Sequence, residues 1–192
     1  MKIKIKDLAI MAMMLAILVV CSKISFNIGI ISLTLQTFAV TSIGLILKWK
    51  KALIIFATYI VMGLIGIPVF STGGGYQYIF YPSFGFIIGF MLSSFITGSN
   101  LFNKNKWILI PKAILGLLVI DVVGLVYMYL ILNFYMDKPS SILYVLEVGF
   151  TPFIIKDSIS VVLASLIAIR LEPVVNNIGE FNENIELNKD KE

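Results

Sequence analysis

The chain has 192 residues, 59% hydrophobic and 14% charged, with a net charge of +4 and a mean hydropathy of +0.98. Soluble domains are only about half apolar, so this composition excludes an ordinary soluble fold and points to one domain with several membrane spans. The single cysteine, Cys21, and the absence of histidine exclude an internal disulfide, a thiolate metal cluster and the commonest general base. No metal, cofactor or nucleic-acid partner is expected.

A helix takes about 20 residues to cross about 30 Å of hydrocarbon, and ~17 can suffice. Lys2, Lys4 and Lys6 lead into an apolar run with no convincing small-residue cleavage site. The run therefore reads as a retained first span, Leu8 to Val20 with an extension to Ile24, rather than a signal peptide. The second span is about Leu35 to Leu47, the third Ala52 to Ile67, and the fourth Ser83 to Thr97. The fifth runs from Trp107 to Phe134, long enough to tilt, and the sixth from about Gly149 to Ile169. The second is short, so five spans is the alternative count.

Basic residues set the orientation. With the amino terminus in the cytoplasm, the inner segments hold Lys2, Lys4, Lys6, Lys48, Lys50, Lys51, Lys104, Lys106, Lys112, Arg170, Lys189 and Lys191. The outer segments hold only Lys23 and Lys138, and Lys156 lies in a span. Both termini are then expected inside. Residues 1–171 form the six-span domain, and 172–192 form an acidic, polar cytoplasmic tail, a short helix fraying into disorder.

Two outer loops carry no charge. Ser25 to Gln36 alternates apolar and small polar residues, and Gly66 to Pro82 is rich in glycine and aromatics. Irregular backbone at membrane depth needs protein or a cavity over it. Gly73, Gly74 and Gly75 permit positive φ and close approach, while Tyr76, Tyr78 and Tyr81 offer flat faces tipped with hydroxyls. The pair reads as a lid over an outward pocket; the alternative is an aromatic belt with a flexible turn.

Inside the sixth span stand Lys156 and Asp157. A charge in hydrocarbon costs at least ~2.5 kcal/mol, so the two mark a polar pocket or a structural ion pair. Adjacent helical residues point about 100° apart, which makes direct pairing poor and favours the pocket. Asp121 in the fifth span is a second buried acid, read as a structural hydrogen-bond partner ahead of a ligand group.

Four motifs in order resemble a known family. Leu33-Thr34-Leu35-Gln36-Thr37 looks like the TLQT segment of BioY, the biotin-specific S component of energy-coupling-factor (ECF) transporters. Gly63 to Phe70 resembles its GLxGxPVF motif, and Tyr81 to Phe90 its Pro-Ser-x-Gly motif. Pro152-Phe153 with Asp157 resembles the last motif. The similarity spans roughly Asp7 to Leu171. It implies an all-α membrane protein, a six-helix ECF S-component-like bundle with a pocket near the outer face. It also implies a partner complex of one transmembrane T component and two cytoplasmic ATPases in the cell membrane. The family places a lysine three residues after the aspartate; here that position is Ser160, and the lysine is Lys156.

On that resemblance, Asp157 would accept from the ureido N–H groups of biotin and Lys156, or Ser160 on the same face, would meet its carboxylate. Thr34 and Gln36 would add polar contacts from the first loop, unless they cap the second helix instead. Phe70, Tyr81, Phe84 and Tyr127 would wall the bicycle, with core packing as the plain alternative for each. Ala9, Ala12 and Ala16 put small residues on the first span, where the family docks its T component; packing within the bundle is the alternative. No P-loop and no nucleophile–base constellation can be built, so the chain is not expected to be an enzyme. A standalone proton-coupled transporter using Asp121 or Asp157, or an S component for a biotin-like ligand, is the alternative function.

Overall fold

The computed structural model describes residues 5–28, 31–99 and 106–189, with side chains described over 5–26, 31–99 and 106–171. Lys2, Lys4, Lys104 and Lys191 and residues 190–192 of the polar tail lie outside the described residues, as do Gly29 and Ile30 of the first uncharged loop. In chain order the elements are α1 (Ile5–Lys23), β1 (Ser25–Ile28), β2 (Ile31–Thr34), α2 (Gln36–Leu64), α3 (Phe84–Thr97), α4 (Leu109–Leu130), α5 (Ile142–Gly149) and α6 (Ile154–Lys189). A 3-10 turn precedes α3 at Tyr76–Phe80, and a π-helical turn extends α4 over Ile131–Tyr135.

The continuous helix α2 is two helices. A straight helix would hold Gln36 and Tyr59 roughly 35 Å apart at 1.5 Å per residue. Instead the Gln36 amide donates to the Tyr59 hydroxyl at 2.8 Å. The chain reverses at Lys48, whose φ of 62° and ψ of 158° leave the helical region. Residues 36–47 and 49–64 are therefore antiparallel arms, which are the second and third predicted spans. With α5 and α6 counted as one bent pair, six membrane segments result among the described residues, in a multi-pass membrane protein.

Among the described residues, only α1 and the stretch Lys106–Tyr135 are long and apolar enough to cross alone; α5 and α6, to Leu171, do so as a pair bent by 51°. The arms of α2 and the 14 residues of α3 are shorter. At one end, the β-hairpin and the 66–82 loop lie over them: Leu35 donates to the Ile24 carbonyl at 3.3 Å and Gly75 to the Gly63 carbonyl at 2.7 Å. At the other end, Lys51 pairs with Asp7 at 2.7 Å and Trp49 donates to the Gly98 carbonyl at 3.1 Å. Basic Lys51 and Lys112, whose ammonium reaches the Ser99 carbonyl at 2.5 Å, both belong to this second end.

Helices α3 and α4 pack antiparallel along a seam that requires small residues. A Cβ added to Gly89 would lie 2.9 Å from the Ile120 Cα, closer than real side chains come to backbone. Any larger residue there would push the helices apart, and Ile120 and Asp121 with them. Around this pair the core gathers Leu18 of α1, Val40, Ile43, Phe56 and Tyr59 of α2, and Phe90 of α3.

Two elements differ from the sequence expectation. The first uncharged loop is a β-hairpin, pairing Ser25 with Thr34 and Phe26 with Leu33, because its period-2 alternation fits a strand. The sixth predicted span, Gly149 to Ile169, is broken: α5 ends at Gly149, and α6 starts at Ile154. Pro152 lacks the N–H a through-running helix needs and disfavours a helical residue before it. The break puts Asp157 in the first turn of α6, where the helix's amino end favours a negative charge. Beyond Ile169, α6 continues through the change to polar composition as far as Lys189.

Candidate functional site

A cavity of about 50 Å³ lies at the end of the bundle covered by the hairpin and the 66–82 loop. Its polar groups include Ser71, Tyr78 and Ser83, on and just after the 66–82 loop. Ser32 and Thr34 lie on β2, Gln36 and Thr37 open α2, Asp121 projects from α4, and Lys156 and Asp157 come from α6. The apolar wall includes Ile31, Phe86, Ile87, Phe90, Ile120 and Phe153. This is the usual plan of a small-ligand site, a greasy concavity with a few convergent polar groups.

The two adjacent α6 charges touch but do not hydrogen-bond well. The Lys156 ammonium contacts Asp157 Oδ1, yet that oxygen has no properly directed donor although it is fully enclosed. Their helical offset explains the misalignment. The ammonium is directed instead at the Thr34 carbonyl, 2.6 Å away, and sits 5.7 Å from the Phe153 ring centroid. Asp157 is only 6% exposed, so an ill-matched carboxylate is held facing the cavity. Such a group gains from any ligand that brings an N–H.

Thr34 and Gln36 serve the cavity and the backbone together. The Thr34 hydroxyl accepts from the Gln36 backbone N–H at 3.3 Å, a cap-like bond, and donates to the Gln36 side-chain carbonyl at 3.0 Å. The Gln36 amide then donates to Tyr59, and the Tyr59 hydroxyl donates to the Val69 carbonyl at 3.0 Å. Lys23 of α1 holds the next carbonyl, Phe70, at 2.5 Å. A chain of polar contacts thus runs from the cavity wall to the loop above it.

That loop turns where the glycines allow it. Gly73 (φ 135°) and Gly75 (φ 118°) adopt angles that other residues rarely take, and Phe70 and Gly73 bridge each other across the turn. The bend folds Tyr78 back onto Phe70, with ring centroids 4.4 Å apart, and stacks Tyr81 on Tyr78 at 5.1 Å. Phe84 meets both Phe70 and Tyr78 edge-on. The Tyr127 hydroxyl donates to the Ile79 carbonyl, and Phe80 stacks on Tyr135 at 4.5 Å, so α4 clasps the same loop.

Of the residues named from sequence, the cavity brings together Thr34, Gln36, Lys156 and Asp157. Phe70, Tyr81, Phe84 and Tyr127 do not line it. They stand behind or above it as the aromatic frame that sets Tyr78, the tyrosine that does reach the lining. Ser160 is 5% exposed and one turn deeper, off the lining, so at this face the cavity meets Lys156 and not Ser160. Sequence reasoning missed Tyr78, Phe86, Phe90 and Phe153 as walls, and it ranked Asp121 as structural although Asp121 faces the cavity. The signal for Asp121 was its isolation in an apolar span, the same one that picked out Asp157. Ala9, Ala12 and Ala16 all lie on the exposed side of α1, while Met11 and Leu18 face inward. Among the described residues the three alanines are therefore left largely uncovered.

Residues 1–177 match the BioY family. The chain belongs to the BioY family. Biotin transporter BioY of Thermotoga maritima is 36% identical over 160 residues, 82% of this chain and 90% of that protein. Probable biotin transporter BioY of Lysinibacillus sphaericus is 33% identical over 171 residues, 88% and 87% of the two chains. Among solved structures, the S-component for biotin from an ECF-type ABC transporter superposes with a TM-score of 0.77. It shares 24% identity and covers 88% of this chain and 92% of its own. That likeness establishes the S-component fold, the six-helix bundle read from the spans.

Proposed function

We propose that this BioY-family chain is a substrate-binding subunit that captures biotin at the outer membrane face and hands it inward with an ATP-driven ECF module. The observation that carries this reading is the buried, ill-matched Asp157 carboxylate facing an apolar cavity beside Lys156, Gln36 and Thr34. A cyclic urea brings N–H donors to that carboxylate and a carbonyl to the neighbouring donors. The thiophane bicycle would contact Phe86, Phe90 and Phe153, and the valerate carboxylate would take Lys156 from the Thr34 carbonyl. The names of the relatives, biotin transporters, support the same ligand.

The present cavity has room for a water or two, each of which occupies about 30 Å³ of liquid. Biotin therefore enters only as the hairpin and the 66–82 loop move outward. The 66–82 loop sinks Val69, Phe70 and Tyr78 into the core, whereas the hairpin, among its described side chains, buries only Ile31 and Thr34, leaves Phe26 exposed and is tied to α6 by the Lys156 hydrogen bond. Held this way, the hairpin belongs to the least stable part of the fold and opens most readily.

The chain contains no P-loop, so the energy for release comes from the two ATPases acting through a T component. The exposed Ala9, Ala12 and Ala16 face of α1 gives that component a surface it can approach closely. The basic residues gathered opposite the cavity support a cytoplasmic location for that end and for both termini, in the cell membrane. Equilibrium binding of radiolabelled biotin to the purified chain tests the reading. Asp157→Asn is expected to weaken binding by about 1.5–3 kcal/mol, the worth of a charged hydrogen bond. An unchanged dissociation constant removes Asp157 from the site, and no saturable binding at all removes biotin.

A further inference from the structure

The cavity holds three charged side chains among the described residues: Asp121, Lys156 and Asp157. One cation therefore serves two acids. Lys156 divides its contacts between Asp157 and the Thr34 carbonyl. Asp121 stands on α4, 9% exposed, and makes no hydrogen bond or ion pair with any described residue. It is close enough to α6 for the charges of both Asp157 and Lys156 to act on it. A structural hydrogen-bond partner for Asp121, the role the sequence favoured, is absent among the described residues.

Among the described residues, the surroundings of Asp121 offer no second cation. Helix α3, packed along the same seam, has no ionisable residue between Phe84 and Thr97. The start of α2 presents Gln36 and Thr37, both neutral, and the loop presents the Tyr78 hydroxyl. Glu147 on α5 is exposed and off the lining. On α4 itself, Lys112 is spent at the opposite end of the bundle on the Ser99 carbonyl.

We propose that Asp121 is a ligand-facing acid that takes up one proton from solvent when an anionic ligand occupies this cavity. The inference rests on the biotin reading above. A ligand carboxylate that engages Lys156 leaves three carboxylates around one ammonium in a site that excludes water. Such a cluster of like charges is relieved most simply by converting one carboxylate to the neutral acid. Asp121 is the member with no protein donor to lose. As a carboxylic acid it gains an O–H, which it donates to a ligand oxygen. Asp157 keeps its charge at the amino end of α6 for the ureido N–H groups. Capture of the anion together with one proton thus leaves the net charge of the cavity unchanged at about −1 rather than raising it to about −2.

The test is titration calorimetry of biotin into the full chain in detergent, in buffers of different ionisation enthalpy. The expected result is uptake of about one proton per biotin, with affinity falling about tenfold per pH unit as pH rises through that range. Asp121→Asn is expected to bind biotin without buffer dependence. Biotinamide, which lacks the carboxylate, is expected to bind the wild-type chain without proton uptake, and this arm does not depend on the variant folding. Biotin binding with no proton uptake, or equal uptake with biotinamide or with Asp121→Asn, overturns the proposal and leaves the biotin reading intact. Absence of biotin binding overturns both.

Discussion

The Lys156 ammonium reaches across from α6 to the backbone carbonyl of Thr34 at 2.6 Å, joining a membrane helix to the end of the β-hairpin that covers the cavity. The same ammonium is the one cation in the cavity among the described residues. On the proposed biotin reading, a ligand carboxylate and the hairpin compete for one group. Occupancy of the site loosens the tie to the hairpin, and the tie stands in the way of occupancy.

This competition gives Lys156→Ala two opposing effects. Removing the ammonium would delete the proposed partner of the biotin carboxylate, at a cost of about 1.5–3 kcal/mol for a charge-assisted hydrogen bond. It also frees the hairpin, which eases entry. Biotin is expected to bind more than tenfold more weakly, with a faster association rate, whereas biotinamide loses much less. Stopped-flow binding of the two ligands separates the effects. Equal loss for both ligands would show that Lys156 does not meet the carboxylate.

Tyr59 links the cavity to the loop, because its hydroxyl accepts from Gln36 and donates to Val69. Tyr59 is fully buried, so Tyr59→Phe leaves the Gln36 amide short of a partner and the Val69 carbonyl with the Ser22 hydroxyl alone. The expected loss of stability is about 1–3 kcal/mol. Protease cleavage within residues 66–82 should quicken before global unfolding of the helices is seen by circular dichroism. Coincident loss of both signals would mean that the tyrosine holds the core and not the loop.

Much of this architecture was legible in the sequence, since hydropathy alone separates the apolar runs that become α1, α3 and α4. The reversal at Lys48 carried no glycine or proline signal, because a lysine occupies the positive φ. The basic run Lys48, Lys50 and Lys51 nevertheless separates the two apolar runs into consecutive spans, and the hydrogen bond from Gln36 to Tyr59 bears out their antiparallel packing. The charged residues of the cavity were visible because charge is rare in a span. Its aromatic walls were not, because a helix rich in phenylalanine all round gives no sign of which ring faces the ligand. Tyr78 lines the cavity while Phe70 stands behind it, and that choice is made by the turn at Gly73 and Gly75.

Gly89 sets how closely α3 and α4 approach, and Asp121 follows Ile120 at the point of contact. Gly89→Ala places a methyl group against α4 backbone, which cannot yield as a flexible side chain would. Overpacking of this kind costs about 1–3 kcal/mol. The thermal midpoint in detergent is expected to fall, and biotin affinity with it, since Asp121 and Phe86 shift relative to α6. An unchanged midpoint would show that the seam is looser than its geometry.

The docking role proposed for α1 makes capture and delivery separable by mutation. Ala12 is exposed on the side of α1 away from the core, so Ala12→Trp adds bulk without touching the cavity. Surface changes of this kind alter stability by no more than about 0.5 kcal/mol, so biotin affinity should stay within about twofold of wild type. A close helix–helix contact cannot accommodate an indole where an alanine stood. Co-purification with a T component and its ATPases should therefore be lost, and ATP-dependent biotin uptake into proteoliposomes with it. Retention of both would place the docking surface elsewhere on the bundle. Loss of uptake with assembly intact would mean that α1 takes part in movement of the subunit after docking.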